Sequence, residues 1–174
     1  MWSAQFYKCD QPDQWLSSGG AGTVGFGFPS AIGAQFGRPQ ELVFAICGDG
    51  GFQMTFSELA TAVVHKLPVK VIIMANRYLG MVRQWQELFF DNRLSGVELQ
   101  GNPDFVKLAE AYGAKGLYLN NVQDIKNILT EAIMHKGPVV IQANVIREDN
   151  VFPMIPAGKA AHHMIVEPPK KERK

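Results

Sequence analysis

Residues 42–85 read LVFAICGDGGFQMTFSELATAVVHKLPVKVIIMANRYLGMVRQW, and this stretch decides the fold. Two short apolar runs, residues 42–47 and 69–75, predict buried strands, and a helix-like segment separates them. Asp49 follows the first run after one glycine, and Asn76 follows the second run directly. Ligands of open parallel sheets bind beyond the carboxyl ends of the strands. Asp49 and Asn76 therefore mark a candidate binding site.

Strand and helix patterns alternate through the rest of the chain, and this alternation predicts the fold class. We expect an α/β fold with an open, mostly parallel sheet, helices on both of its faces and right-handed crossovers. Thr55 and Glu58 have the spacing of a capping box. The predicted elements are helices at 56–65 and 79–89, a helix from Asn102 to a stop at Gly113, a helix from its cap Asn121 to Gly137, and strands at 117–119 and 138–145.

Length and composition describe an ordinary globular chain. Its 174 residues, 47% apolar and 19% charged, suffice for one domain with a core. We assign residues 1–147 to an α/β domain and residues 148–174 to an irregular tail with a short basic end. The net charge of +1 gives no support for a nucleic-acid partner, and no apolar run approaches the roughly 18 residues of a membrane span. Cys9 and Cys47 lack metal-ligand spacing, and a reducing, intracellular setting suits them.

Four aromatic residues crowd the beginning of the chain: Trp2, Phe6, Tyr7 and Trp15. Their segment has no clear strand or helix period. Two interpretations stay open. The aromatic side chains cap the chain's own core, or they pack against a preceding domain or a partner subunit.

A glycine-rich loop covers residues 17–27, and its composition predicts unusual backbone angles or a close approach of the backbone to a ligand. Residues 20–25 satisfy the pattern G-x-G-x-x-G of dinucleotide-binding proteins. That fingerprint needs a strand directly before it, and residues 13–16 make a poor strand. Pro29 suits the first turn of a helix that begins only later. A nicotinamide site is therefore the weaker interpretation, and a P-loop is excluded because no Gly-Lys-Ser/Thr follows these glycines.

Asp49 and Asn76 offer a carboxylate oxygen and an amide oxygen, which suit Mg²⁺. This ion takes about six oxygens at roughly 2.0–2.1 Å, and phosphates or water usually supply several of them. Backbone N–H groups of the glycines around Asp49 would bind the phosphates. The pattern predicts a Mg²⁺ ion that holds a phosphorylated cofactor. In the alternative, Asp49 caps a turn and Asn76 closes a loop, and the residues alone leave this alternative open.

Gly48-Asp49-Gly50 followed by Asn76 resembles the thiamine-diphosphate (ThDP) motif of decarboxylases and carboligases. Within that superfamily, the chain is similar to the catalytic subunits of acetohydroxyacid synthase, also called acetolactate synthase. The segments that carry this resemblance are MWSAQFY at 1–7, WLSSGGAGTVGFGFPSAIGAQ at 15–35, LGMVRQWQ at 79–86 and VFPMIPAG at 151–158. The family decarboxylates pyruvate and joins the two-carbon unit to a second pyruvate or to 2-ketobutyrate in branched-chain amino-acid biosynthesis. Trp85 and the sequence PMIPAG argue against siblings such as pyruvate oxidase and glyoxylate carboligase.

The resemblance implies roles for five residues around the metal and the diphosphate. Asp49 and Asn76 would bind Mg²⁺ through their side chains, and Tyr78 would bind it through its backbone carbonyl. Gly50 and Gly51 would offer backbone N–H groups to the diphosphate. Family members usually have serine at the position of Gly51, so this chain lacks one hydroxyl there.

The resemblance also implies roles for five residues around the rest of ThDP. The Gly22 carbonyl would accept a hydrogen bond from the amino group of the cofactor. Val24 stands where family members commonly place a methionine beneath the bent cofactor. Gly80 and Met81 would line the aminopyrimidine pocket, and Trp85 would lie near the substrate, where inhibitors also bind.

The resemblance covers only the last of the three domains in the family's subunits. It implies that no catalytic residue lies in this chain, because the activating glutamate belongs to the missing N-terminal domain. The missing middle domain binds FAD, which this chain is not expected to hold fully. The expected partners are those domains or a partner subunit, a homodimer of full-length chains and a regulatory subunit. The expected compartment is the bacterial cytoplasm, or a plastid or mitochondrion in a eukaryote. A non-catalytic cofactor-binding or interaction module is the alternative function.

Overall fold

The chain folds around a parallel β-sheet. The computed structural model describes residues 1–168. In this range the strands are β1 (Phe44–Gly48), β2 (Lys70–Ala75), β3 (Lys115–Leu119) and β4 (Val139–Asn144). All neighbouring strands are parallel and follow the order β1-β2-β4-β3. The predicted open parallel sheet is therefore confirmed, with β1 and β3 at its edges.

Helices connect these strands. They are α1 (Trp2–Phe6), α2 (Gly27–Gly37), α3 (Asp49–Gln53), α4 (Leu59–Val64), α5 (Gly80–Phe89), α6 (Phe105–Ala111) and α7 (Ile125–Met134). Short 3-10 turns stand at Phe56–Glu58, Val122–Asp124 and Ala161–His163. Within residues 1–168, no helix has the length and apolar character needed to cross a membrane.

Both faces of the sheet carry helices, as predicted. On one face, α2, α3, α4 and α6 join one core cluster with β1 and β2 through the buried residues Phe28, Phe52, Leu59 and Phe105. On the other face, α7 packs with β3 and β4. On this second face Ile46 of β1 remains 39% exposed. The sheet is therefore covered less completely at its β1 edge.

Cys47 lies inside the first of these packed layers. A Cβ on Gly27 would lie 3.2 Å from the Sγ of Cys47, so the start of α2 packs closely on β1. Burial raises the pKa of the Cys47 thiol to about 12. Cys9, by contrast, is exposed, and both cysteines are free thiols. Cys47 thus behaves as a small apolar residue.

Lys70 is a charged residue in the interior of the sheet. Its side chain is almost fully buried, and its Nζ donates to the carbonyl oxygens of His135 (2.7 Å) and Gly137 (2.9 Å). These carbonyls follow the end of α7, where a helix carries partial negative charge. Burial lowers the pKa of Lys70 to about 8. Lys70 thereby ties β2 to the turn between α7 and β4.

The capping box predicted at Thr55 and Glu58 is wrong. Thr55 instead donates its hydroxyl to the carbonyl of Gly25 at 3.2 Å, and Glu58 accepts a hydrogen bond from Thr61 at 3.3 Å. A 3-10 turn replaces the first expected helical turn, and α4 begins only at Leu59. The prediction failed because Thr55 binds the glycine-rich loop rather than its own helix.

Two other helix starts also differ from the predictions. Asp104, not Asn102, caps α6, because its carboxylate accepts hydrogen bonds from the backbone N–H groups two and three residues further on, both at 3.1 Å. Asn121 makes no capping bond, since its side-chain amide donates to Asp124 at 3.3 Å instead. Asn102 has a different contact, which lies at the candidate site.

The aromatic residues at the beginning of the chain pair with one another on the surface. Trp2 stacks on Phe6 with ring centroids 5.9 Å apart, and Tyr7 stacks on Trp15 at 5.6 Å. All four side chains are exposed. The interpretation that they cap the chain's own core is therefore wrong, and their packing against a further domain or subunit stays a prediction.

The segment that follows residue 147 runs along α5. Gln84 donates to the carbonyl of Val151 at 2.9 Å and accepts from its N–H at 2.8 Å. An antiparallel bridge joins Met154 to Ile165 further on. These contacts hold the described part of the tail in place. The domain boundary at 147 stays a prediction, and the basic end of the tail lies outside the described residues.

Candidate metal and cofactor site

Asp49 stands at the carboxyl end of β1 as the first residue of α3. Its Oδ1 accepts a hydrogen bond from the N–H of Gly50 at 3.0 Å. Its Oδ2 accepts two, from the N–H of Arg77 at 2.7 Å and from the side-chain amide of Asn102 at 2.8 Å. Two segments distant in sequence thus anchor one oxygen, while the other oxygen keeps capacity for a further ligand.

The carboxylate of Asp49 is buried without a cationic partner. The residue is 0% exposed, and no lysine, arginine or histidine within residues 1–168 forms an ion pair with it. Burial raises the pKa of Asp49, and the hydrogen bonds from Arg77, Asn102 and Gly50 only partly offset this. A buried charge is costly unless it is paired or bound to a metal. A cation beside Asp49 would remove that cost.

The turn after β2 brings Asn76 to the same edge of the sheet. Because β1 and β2 pair in parallel, their carboxyl ends meet, and the N–H of Arg77 reaches Asp49. Arg77 has a φ of 59°, which is uncommon for a residue other than glycine. The Oδ1 of Asn76 accepts from the N–H of Tyr78 at 3.1 Å. Gly80 lies so close that a Cβ there would be 3.1 Å from the amide nitrogen of Asn76.

Tyr78 is held from two sides. Its backbone pairs with Glu98 in an antiparallel bridge. Its ring centroid lies 5.2 Å from the guanidinium carbon of Arg83 and 4.8 Å from that of Arg147, and Arg147 also binds Glu98 at 2.7 Å. Among the residues that the structure describes, no backbone N–H donates to the carbonyl of Tyr78. This carbonyl oxygen is therefore available to a ligand.

The oxygens at this edge are of the types that bind Mg²⁺. Residues 1–168 contain no group of three or more His, Cys, Asp or Glu side chains that could hold a metal by themselves. Asp49, Asn76 and Tyr78 supply one carboxylate, one amide oxygen and one backbone carbonyl, all of which are donor types that Mg²⁺ accepts. The remaining positions would fall to phosphate and water oxygens. The residues present are consistent with such a site.

The glycine-rich loop lies against the beginning of α3. A Cβ on Gly51 would lie 3.6 Å from the backbone nitrogen of Gly25 and 3.9 Å from Cγ1 of Val24. Gly22 and Gly25 have φ values of 63° and 93°, so the unusual backbone angles predicted for this loop are confirmed. The loop therefore brings Val24 beside the glycines that follow Asp49.

Gly50 and Gly51 differ in the room that they leave for a side chain. A Cβ on Gly50 would lie 2.6 Å from Cδ2 of Leu79 and 3.1 Å from Cδ1 of Leu99, whereas Gly51 has only ordinary contacts. We expect Gly51→Ala to raise the free energy of unfolding by about 0.5–1 kcal/mol, because alanine favours a helix. Gly50→Ala should lower it by about 1 kcal/mol, the lower end of the range for overpacking, because the atoms that it meets are the ends of two leucine side chains that can move. Urea unfolding followed by circular dichroism measures both, and equal effects would contradict the difference.

Helix α5 buries polar residues and exposes apolar ones. Arg83 and Gln84 are buried against the segment that follows residue 147, where they bind backbone carbonyls of Glu148 and Val151. The opposite side opens to a cavity of about 580 Å³, lined by Met81, Val82, Trp85, Gln86, Phe90 and Arg93. Trp85 is 39% exposed and packs edge-on against Phe89. Met81 and Trp85, both predicted to face cofactor or substrate, thus share one apolar wall.

Three residues of the site were not predicted from the sequence. Arg77 and Asn102 both donate to Asp49, and Gln53 donates to the side-chain oxygen of Asn102. These bonds join segments that are far apart in the chain, so no local sequence pattern predicts them. Asn102 before a proline predicts only the start of a helix.

Together, these features define a class of cofactor-binding domain. Asp49 and Asn76 stand at the ends of two neighbouring parallel strands, and a glycine-rich loop lies against the helix that follows Asp49. The chain belongs to the family described as thiamine pyrophosphate enzyme, C-terminal TPP binding domain, which it matches over residues 1–143.

Curated relatives point to a particular enzyme within this class. The chain is 46% identical to the acetolactate synthase large subunit of Porphyra purpurea over 166 residues. This alignment covers 95% of this chain and 28% of that protein. It is 44% identical to the mitochondrial acetolactate synthase of Schizosaccharomyces pombe, over 95% of this chain and 25% of that protein. It is 39% identical to the acetolactate synthase isozyme 2 large subunit of Escherichia coli strain K12, over 95% of this chain and 30% of that protein. The resemblance to this family is confirmed, and the chain spans between 25% and 30% of the length of these relatives.

Proposed function

We propose that this chain is the ThDP- and Mg²⁺-binding domain of an acetolactate synthase catalytic subunit. The strongest support is the buried Asp49 carboxylate, which has no cationic side chain beside it within residues 1–168 and keeps Oδ1 for a ligand. The names of the relatives support this particular activity. The whole protein would decarboxylate pyruvate and join the two-carbon unit to a second pyruvate or to 2-ketobutyrate.

Three oxygens of this chain would bind Mg²⁺: Oδ1 of Asp49, Oδ1 of Asn76 and the backbone carbonyl of Tyr78. The backbone N–H groups of Gly50 and Gly51 would donate to the diphosphate. ThDP supplies the electron sink that decarboxylation of a 2-ketoacid requires. The residues named here hold and orient that group, and they also bring the negative charge that the metal needs.

The other predicted residues would contact the organic part of the cofactor and the substrate. The Gly22 carbonyl would accept a hydrogen bond from the cofactor's amino group, and Val24 would support the bent conformation. Gly80 and Met81 would line the aminopyrimidine pocket. Trp85, on the apolar wall of α5, would contact the substrate and help to exclude water from it.

The chain would act as part of a larger protein. Residues 1–147 would form the diphosphate-binding domain and residues 148–174 its tail. The rest of the subunit would supply the activating glutamate and the FAD site, and full-length chains would form a homodimer that binds a regulatory subunit. The exposed aromatic residues around Trp2 would contact one of these partners. The compartment would be the bacterial cytoplasm, a plastid or a mitochondrion, and two relatives carry the word mitochondrial in their names.

Titration calorimetry of the purified chain with ThDP tests the proposed function. We expect binding in the presence of Mg²⁺ and its loss after chelation with EDTA. No binding of ThDP under either condition would contradict the proposed function. Binding of NADH without Mg²⁺, followed by fluorescence, would instead support the dinucleotide interpretation. Acetolactate formation by this chain alone would contradict the assignment of the activating glutamate to another part of the protein.

A further inference from the structure

Two side-chain amides form a hydrogen-bonded chain that ends on the anchored oxygen of Asp49. The Nε2 of Gln53 donates to Oδ1 of Asn102, and the Nδ2 of Asn102 donates to Oδ2 of Asp49 at 2.8 Å. Gln53 is the last residue of α3, and Asn102 lies shortly before α6. Both side chains belong to half-buried residues. The two amides therefore connect the Asp49 end of β1 to the loop before α6.

The chemistry of the three groups fixes the direction of these hydrogen bonds. An ionised carboxylate only accepts, so Asn102 must turn its NH₂ group toward Asp49. The oxygen of Asn102 then faces Gln53, which must donate. Only one orientation of the two amides satisfies every bond, and Gln53 supports it without touching Asp49.

We infer that Gln53 and Asn102 are positioning residues that leave Asp49 a single oxygen, Oδ1, for the metal. This role rests on the proposed function, because it concerns Mg²⁺ at Asp49. With Oδ2 bound by Arg77 and Asn102, the carboxylate binds the ion through one oxygen, which leaves room for Asn76 and for phosphate oxygens in the small Mg²⁺ shell. Mutation of residues that hydrogen-bond to metal ligands typically weakens metal binding about 10–100-fold.

The substitution Gln53→Glu distinguishes this role from simple electrostatics. A glutamate at 53 accepts but does not donate, so it competes with Asp49 for the NH₂ group of Asn102. Whenever that group turns to the glutamate, Asp49 loses a donor and faces the oxygen of Asn102, and its hold on Mg²⁺ weakens. Charge alone predicts the opposite result, since an added carboxylate near a cation site attracts the cation.

The test measures Mg²⁺ affinity by calorimetry in the presence of ThDP. We expect about tenfold weaker Mg²⁺ binding in Gln53→Glu and in Asn102→Ala, and a smaller loss in Gln53→Met, which removes the bond without reversing the amide. In the Asn102→Ala background, Gln53→Glu should no longer weaken binding, because the coupling runs through Asn102. Gln123→Glu, in an exposed 3-10 turn, adds the same charge elsewhere and should leave the affinity unchanged.

Nuclear magnetic resonance of the metal-free chain provides a second readout. The Asn102 side-chain amide should exchange slowly with solvent and shift in Gln53→Glu, with circular dichroism showing each variant folded. Equal or tighter Mg²⁺ binding by Gln53→Glu, or an Asn102 amide that exchanges like an exposed one, would overturn the inference. A wild-type chain that binds neither Mg²⁺ nor ThDP would overturn the proposed function and, with it, the metal-positioning role. The resonance of the Asn102 side-chain amide would still test the hydrogen bonds by themselves.

Discussion

Asp49→Asn is expected to weaken Mg²⁺-dependent binding of ThDP by at least about 100-fold. Mutation of a residue that only hydrogen-bonds to a metal ligand typically weakens metal binding about 10–100-fold, and a change in the ligand itself should have a larger effect. The substitution keeps the size of the side chain but removes the buried negative charge that attracts the cation. The NH₂ group of an asparagine accepts no hydrogen bond, so the side chain must either leave Arg77 and Asn102 without an acceptor or turn its NH₂ group toward the metal. Titration calorimetry with ThDP and Mg²⁺ measures the loss.

A surface aspartate provides the matched control for this experiment. Asp91 has a side chain that is 91% exposed, and its partner Arg93 is also on the surface. Asp91→Asn removes the same charge from the chain and should leave ThDP binding unchanged. If Asp49→Asn bound ThDP and Mg²⁺ as tightly as Asp91→Asn, Asp49 would not be a metal ligand.

Gly116→Ala is expected to lower the free energy of unfolding by about 3 kcal/mol, the upper part of the usual range for overpacking. A Cβ on Gly116 of β3 would lie 2.6 Å from Cγ1 and 2.7 Å from the carbonyl oxygen of Val106 in α6. The side chain can rotate away, but the carbonyl belongs to the helix backbone. The whole helix must therefore move off the sheet. Urea unfolding followed by circular dichroism measures the change.

Gly33→Ala serves as the control for Gly116→Ala. Gly33 lies on the exposed side of α2, and its Cβ would meet nothing within 4 Å. Alanine should therefore stabilise the chain by about 0.5–1 kcal/mol through helix propensity alone. A Gly116→Ala variant as stable as the wild type would show that α6 and β3 do not pack as closely as described.

The strands could be predicted from the sequence, but their order could not. The apolar runs at 42–47 and 69–75 match β1 and β2, because strands covered on both faces need nearly continuous apolar residues. The order β1-β2-β4-β3 places β4 beside β2, although β3 comes first in the chain. Periodicity reports which face of a strand is buried, and it carries no information about which strands pair.

The placement of Asp49 and Asn76 at neighbouring strand ends was predictable, and the groups that support Asp49 were not. Asp49 and Asn76 follow strand ends, which apolar runs reveal. The left-handed turn at Arg77 and the bond from Asn102 depend on tertiary contacts with loops that have no period. The same competition explains the failed capping box, where Thr55 binds a distant carbonyl instead of its own helix.

Helix α5 shows a further limit of pattern analysis. Its period correctly predicted a helix at 79–89, and an amphipathic helix normally buries its apolar face. Here Arg83 and Gln84 are buried because they bind the backbone of the tail, and Trp85 is left on the open side. The family resemblance, rather than the period, assigned Trp85 to the substrate side.

Cys47 allows the opening of the sheet edge beside Asp49 to be measured without the introduction of a new cysteine. Alkylating reagents attack the thiolate, and a buried thiol with a pKa near 12 offers almost none at neutral pH. Cys47 can therefore react only while β1 and α2 are transiently apart, whereas the exposed Cys9 sets the reference rate. Asp49 lies two residues beyond Cys47 at the same strand end. The alkylation rate of Cys47 relative to that of Cys9 therefore measures how often this end of β1 opens, and a bound ligand would lower that relative rate.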